Sequence, residues 1–279
     1  MRFGISTHLY HDQRLAQEHL AQIAGYGFEA IELFATRTHF DYHDAAAVGA
    51  LAKWLSETRL ELNSVHAPIA EGLAGGEWKG AMSNAVGDNA RRLAAVREAD
   101  AALQIAQRIP FRTLVVHLGT PAPKSGPGDN SRAAAIRSAE EICRLAEPLG
   151  VRVAFEVIPN NLSSALELVK LLERDLEVPH AGICMDVGHA HLMGEVADAV
   201  EIAAEHLIAT HVHDNRGRAD DHLAPYLGSI NWDTALVTMQ KIGYEGTYVM
   251  ELANAGSPAA VLEEARRARQ RFERTLAHP

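Results

Sequence analysis

What most limits the fold of this chain is an alternation repeated eight times: a short run rich in Val, Ile and aromatics, then a longer Ala/Leu/Glu/Arg stretch with helical periodicity. The strand-like runs are Arg2 to Thr7, Ala30 to Ala35, Leu60 to Ala67, Thr113 to Gly119, Arg152 to Ile158, Gly182 to Val187, Ile208 to His213 and Thr247 to Leu252. The helical stretches after them are Gln13 to Tyr26, Asp44 to Thr58, Asn89 to Arg108, Ser131 to Leu149, Ser163 to Glu173, Glu195 to Glu205, Trp232 to Ile242 and Pro258 to Leu276. Eight consecutive βα units predict an α/β chain folded as a single (β/α)8 TIM barrel over residues 1–279, with its active face at the carboxyl ends of the strands. A doubly wound sheet is the alternative. Two Gly/Pro-rich loops, Pro68 to Asp88 and Thr120 to Asn130, would then lie on that face, as lids or as plain connections.

Composition narrows the class. With 47% hydrophobic residues the chain can bury a sizeable core, and 26 basic against 36 acidic residues leave a formal charge of −10, unfavourable for non-specific binding to nucleic acid or an anionic membrane. No apolar run is long enough to span a bilayer, and Met1 leads directly into a strand-like run, so a cytoplasmic location is expected. The two cysteines, Cys143 and Cys184, make no disulfide framework and no zinc motif, and read as small buried hydrophobes. No phosphate-binding glycine motif follows a strand, so no nucleotide cofactor is indicated.

The chemistry lies in the 15 histidines and their placement. Towards the end of each strand-like run in turn stand His8, Glu32, His66, His117, Glu156, Asp186, His211 and Glu251. Acidic and imidazole groups converging on one barrel mouth are costly to bury without a compensating cation, which points to a metal ion. In Met185-Asp-Val-Gly-His-Ala-His191, Asp186 closes a strand and Gly188 is expected to let the chain turn so that His189 faces the same centre. In His211-Val-His-Asp-Asn215 the two histidines share one strand face, one for metal and one for substrate. Asp220-Asp-His222, with Arg216 and Arg218, reads equally as a source of ligands and as a solvated loop. His11, His19, His39, His43, His180, His191, His206 and His278 show no partner pattern and are assigned to structure or surface, and the basic segment 266–271 to a solvated helix face.

Glu156, Asp186, His211 and Glu251, on the last four predicted strands, resemble the metal set of the xylose-isomerase-like sugar isomerase and epimerase superfamily. The resemblance spans nearly the whole chain, from Val65-His-Ala-Pro68 and Val116-His-Leu-Gly119 through Phe155-Glu-Val-Ile-Pro-Asn160 and Cys184-Met-Asp-Val-Gly-His189. It continues in His211-Val-His-Asp-Asn215, Asp220-Asp-His-Leu-Ala-Pro225, Gly228-Ser-Ile-Asn-Trp232 and Tyr248-Val-Met-Glu251. The superfamily also contains apurinic-site endonucleases with three zinc ions, whose ligand pattern is matched at His66, His117, Glu156, Asp186, His189, His211, Asp220, His222 and Glu251. Two departures matter. Tyr226-Leu-Gly228 stands where many relatives carry Gly-Glu-Gly, and Leu162 stands where ketose 3-epimerases place a second glutamate.

The resemblance implies a divalent-metal-dependent isomerase or epimerase of a sugar, polyol or small hydroxy-keto compound, working through a metal-stabilised enediolate. Glu156, Asp186, His211 and Glu251 would bind the ion (Mn²⁺, Mg²⁺, Co²⁺ or Zn²⁺), with His66, His117, His189, Asp220 and His222 as additional ligands that favour zinc. Glu156 and Glu251 would transfer protons from opposite sides of the mouth, and His66, His117, His189, His213 and Arg216 would bind substrate. The alternatives are a trinuclear-zinc phosphoesterase or apurinic endonuclease and a catalytically silent sugar-binding barrel. The expected partner is a small carbohydrate-like molecule, without nucleic acid or membrane; homo-oligomerisation is left open.

Overall fold

Hydrogen bonding between the strand-like runs decides between the two α/β architectures. The computed structural model describes residues 1–178, 180–254 and 256–277. Its strands are β1 (Arg2–Ser6), β2 (Ala30–Phe34), β3 (Glu61–His66), β4 (Ala70–Ala74), β5 (Glu77–Ala81), β6 (Thr113–Val116), β7 (Arg152–Glu156), β8 (Ala181–Asp186), β9 (Leu207–Val212) and β10 (Thr247–Met250). Eight of these close a barrel in the order β1-β10-β9-β8-β7-β6-β3-β2, every pair parallel, so the barrel forms and the doubly wound sheet does not. The surrounding helices are α1 (Gln17–Gly25), α2 (Ala45–Thr58), α3 (Asn89–Leu103), α4 (Arg132–Ala146), α5 (Ala165–Lys170), α6 (Val187–Met193), α7 (Val196–Ala203), α8 (Trp232–Lys241) and α9 (Pro258–Ala277).

Short polar side chains start most of these helices. Asp44, Asp88, Ser131, Ser164, Asp186 and Asn231 each accept a hydrogen bond from a first-turn amide. At α9 the Ser257 hydroxyl takes the Ala260 N–H, and Pro258 occupies the first helical position. The first helix begins at Gln17 instead of Gln13 because the preceding segment is tied elsewhere: Leu15 N–H donates to His39 O, and the buried His39 ring donates to Gln13 O. Several predicted helices end in tighter or wider turns, 3₁₀ at Gln104–Gln107, Glu147–Leu149 and Ala204–His206 and π at Leu171–Asp175.

The structure adds a hairpin and a helix to the elements expected from the sequence. The loop from Pro68 to Asp88 holds the antiparallel hairpin β4-β5, turned at Gly75 and Gly76, both with left-handed backbone (φ 61° and 78°). The other is α6, a seven-residue helix starting directly from the end of β8.

Period-two alternation sorts the strand side chains. Outward residues such as Ile31, Leu33, Leu114, Val116, Val153, Phe155, Ile183 and Met185 are buried in the main hydrophobic core with the helices. Inward residues Val115, Ala154, Cys184 and Ala209 form a separate small cluster inside the barrel. Both cysteines are free and buried, as expected. The basic segment of α9 is also as expected, with Arg266 and Arg267 paired to Glu263 and Glu264. No described helix is long and apolar enough to cross a membrane.

The aromatic ring of Phe272 on α9 is wholly buried against Phe3, Tyr226, Trp232 and Tyr248, at centroid distances of 5.2 to 6.3 Å. Phe272→Ala is expected to lower unfolding free energy by about 3–5 kcal/mol in urea titration, and a change below about 1 kcal/mol would show that α9 does not seal this end of the core.

Candidate metal centre and active site

The site stands one layer above that small interior cluster. Each cluster residue has an ionisable neighbour two positions later: Val115 and His117, Ala154 and Glu156, Cys184 and Asp186, Ala209 and His211. The same inward alternation therefore lays a small apolar floor and builds a charged ring on it. His66 ends β3, Glu156 ends β7, Asp186 ends β8, His211 lies within β9, and His117 and Glu251 follow β6 and β10 directly. Ligand atoms of Glu156, Asp186, His211 and Glu251 all lie within 4.8 Å of one another. Three further groups meet the same limit beside them: His66, His117 and Glu156; His66, His211 and Glu251; and His189, His213, Asp220 and His222.

Glu156 is the hub. Its carboxylate has no solvent exposure, and His66, His117, His189 and His211 approach it at 3.2, 3.1, 3.4 and 3.4 Å, yet neither oxygen has a hydrogen-bond partner. His117 Nε2 and His211 Nδ1 are likewise unpartnered and buried. Burial opposes charge on Glu156, but the facing His117 and His211 rings hold its carboxyl well below the usual range. Unpaired carboxylate oxygens and imidazole nitrogens turned towards one point fit a divalent cation, which would satisfy all of them at once.

The third group is assembled by α6 and the segment between β9 and α8. Asp186 caps α6 by accepting the His189 N–H at 2.6 Å, which turns the His189 ring to Asp220, 3.1 Å away. The His213 ring sits 3.0 Å from the Asp186 carboxylate and stacks on His222 at 4.0 Å. His222 Nδ1 donates to Glu251 O, leaving Nε2 3.2 Å from Asp220. Residues from His66 at the end of β3 to Glu251 just past β10 contribute to one constellation.

A family model described as the xylose isomerase-like TIM barrel matches residues 20–272. The chain belongs to this family. An uncharacterized protein of Methanocaldococcus jannaschii is 28% identical over 265 residues, covering 91% of this chain and 84% of that one. Inosose isomerase of Bacillus licheniformis is 26% identical over 137 residues, 44% of this chain and 48% of its own. Among solved structures, a D-tagatose 3-epimerase-like protein superposes with a TM-score of 0.81 at 25% identity, covering 99% of this chain and 97% of the other.

Against this xylose isomerase-like frame, the structure gathers most of the residues singled out from sequence. His66, His117, Glu156, Asp186, His189, His211, His213, Asp220, His222 and Glu251 converge; Arg216 does not, its side chain being 65% exposed and 3.7 Å from Asp221. His8 lies in a 3₁₀ turn just past β1, tied to Leu252 O and stacked on His11 at the edge of the site. Of the histidines assigned to structure or surface, His43 and His206 pair with Glu98 and Glu173, His19 stacks on Tyr10, His191 contacts Ser229, and His180 is exposed. His278 lies outside the described residues.

Two sequence expectations need correcting. Gly188 is not a turn residue: it lies inside α6, and a Cβ there would sit 2.0 Å from the His213 ring, so glycine supplies space for an imidazole. Glu156 and Glu251 do not face each other across the mouth. Their strands β7 and β10 are three steps apart around the ring, and the two carboxylates share one cluster.

Asp214, in sequence simply the residue after His213, has a decisive place in the structure. Wholly buried, it accepts from Asn215 N at 2.9 Å, Tyr226 N at 2.9 Å, Ile230 N at 3.2 Å and Trp232 Nε1 at 2.8 Å. A Cβ at Gly228 would lie 2.2 Å from its Oδ1. These bonds hold the loop that delivers Asp220 and His222, in which His222 and Tyr226 adopt left-handed backbone (φ 47° and 73°). A long-range acceptor of this kind has no local sequence signature beyond an acidic residue at a strand end.

Asp214→Ala leaves several donors unpaired and is expected to cost about 2–5 kcal/mol in urea unfolding and to weaken binding of a metal held by Asp220 and His222. Unchanged stability and metal titration would remove Asp214 from this role. A second expectation concerns pH. Burial lowers the affinity of His66 and His222 for protons, but Glu156 and Asp220 outweigh it and raise them to about 8 and about 9. Both values lie above the ordinary one of about 6.5, so the stability they contribute is complete below about pH 6.5 and lost as pH rises through 8 and 9. The melting temperature of chelator-treated protein should fall over that window; a flat profile would contradict it.

Proposed function

We propose that this protein is a divalent-metal-dependent isomerase or epimerase of a sugar, polyol or small hydroxy-keto compound. The observation that carries this reading is the four-residue group Glu156, Asp186, His211 and Glu251, with ligand atoms within 4.8 Å of one another and the oxygens of the buried Glu156 unpartnered. The likeness to inosose isomerase and to a D-tagatose 3-epimerase-like protein supports the same class. These four residues would hold the ion. Three carboxylates and one imidazole suit Mn²⁺, Mg²⁺ or Co²⁺, and participation of His66, His117, His189 and His222 would favour Zn²⁺.

Bound there, the cation supplies Lewis-acid stabilisation of negative charge on substrate oxygens. Glu156, kept ionised by its imidazole neighbours, and Glu251, 3% exposed, are the proton-transfer pair, one taking a proton α to a carbonyl and the other returning it. His66, His117, His189 and His213 orient hydroxyl groups. Arg216, at the exposed rim, would meet substrate only where it extends out of the barrel. Leu162 is buried, so the position of a second ketose-epimerase glutamate contributes no carboxylate here, which argues for a substrate outside the usual ketose 3-epimerase range.

A trinuclear-zinc phosphoesterase is the second reading, favoured by the groups His66, His117 and Glu156 and His189, His213, Asp220 and His222 beside the central one. The charge argues against a polyanionic substrate: at the rim Lys79 pairs with Glu77 and Arg216 with Asp221, and the chain carries a formal net charge of −10.

Asp186→Ala is expected to lose the metal, by elemental analysis and titration; full retention would sink the assignment. Substrate turned over in deuterated water should gain solvent label at the inverted carbon, and Glu251→Gln should abolish that gain. Turnover without label would favour a hydride shift. The protein is expected neither to bind abasic duplex DNA nor to incise it with zinc, manganese or magnesium; salt-sensitive binding with incision would promote the second reading.

A further inference from the structure

The imidazoles of the centre are not all held in the same way. His66 donates from Nδ1 to Ala67 O at 2.8 Å, His189 from Nδ1 to Val157 O at 3.1 Å, and His222 from Nδ1 to Glu251 O at 2.9 Å. Each is anchored by a neutral backbone carbonyl. His211 is reversed: Nδ1 faces Glu156 and Glu251 at 3.4 Å each, while Nε2 lies 3.0 Å from Glu32 Oε2. Glu32 comes from β2, three steps around the barrel from β9, and has no solvent exposure. It is steadied by Ser64, whose hydroxyl donates to Oε2 at 2.9 Å and in turn accepts from Asn63 Nδ2 at 3.3 Å. Glu32 belongs to none of the ligand groups.

We propose that Glu32 is a positioning residue for the metal centre, fixing which nitrogen of His211 is offered to the ion; this rests on the metal-centre reading above. An ionised carboxylate only accepts hydrogen bonds, so Glu32 places the ring proton on Nε2 and leaves the Nδ1 lone pair directed at the other carboxylates. An amide at the same place could rotate and donate to Nε2, which would move the proton to Nδ1 and close the ligand position. Burying an anion is costly without partners; the Ser64 and His211 contacts compensate Oε2 of Glu32, while Oε1 is buried without a hydrogen-bond partner. The arrangement explains a buried glutamate that no direct role in the reaction requires.

The test measures Mn²⁺ and Zn²⁺ affinity by competition with a chromophoric chelator, for the full chain and for Glu32→Gln and His211→Ala. Glu32→Gln is expected to bind both ions about 10- to 100-fold more weakly. Folded Glu32→Gln with unchanged affinity, alongside a weakened His211→Ala, would overturn the role of Glu32 and leave the metal centre standing. Unchanged affinity in His211→Ala would overturn the metal-centre reading itself. A second measurement covers a Glu32→Gln chain that does not fold: histidine-ring ¹⁵N NMR of the unaltered, Zn²⁺-loaded protein, with His211 assigned by its loss in His211→Ala. The ring proton is expected on Nε2; a proton on Nδ1 would overturn the proposal.

Discussion

The structure depends on the burial of one carboxylate. Glu156 is withdrawn from water at the mouth of the barrel, on a floor of small apolar side chains, and neither of its oxygens is hydrogen-bonded. An isolated anion in such a place would be severely destabilising. Four imidazoles face it and three acidic side chains complete the groups it shares and adjoins, so the site is a balance of opposite charges held at fixed geometry by strands. The cation proposed for this site would complete that balance by satisfying oxygens and nitrogens that have no other partner.

The periphery serves this centre. Asp186 turns His189 inward by capping α6, Gly188 clears room for His213, and Asp214 gathers the amides of a loop that brings Asp220 and His222 over the mouth. Glu32, steadied by Ser64, meets His211 at Nε2, the nitrogen turned away from the other carboxylates. Asp186 is itself in the central group, and the others act on it through neighbouring side chains or backbone, which is how a rigid scaffold fixes the orientation of the groups at a site.

Much of this was legible in the chain. The eight alternations of period indicated the barrel, and the ionisable residues near the strand ends named the central four residues together with His66 and His117. Parallel barrel strands have side chains that alternate strictly between helix-facing and interior positions, so the residue type near a strand's carboxyl end is direct information about the mouth. The hairpin at 70–81 carried a signal in Gly75-Gly76 that its glycine-rich surroundings obscured. The helix at 187–193 is too short to register as a period of its own.

By itself, then, the sequence determined the architecture, the layer in which the chemistry sits and the inventory of groups available there, because each follows from local periodicity and the order of strands. Only the tertiary structure decided how those groups are paired. That Glu32 faces His211, that Arg216 stays at the rim, that Glu156 and Glu251 share one cluster and that Gly188 is there for space are facts about distances between residues far apart in the chain. Such distances are set by the closure of the barrel and the packing of its loops, and no local pattern encodes them.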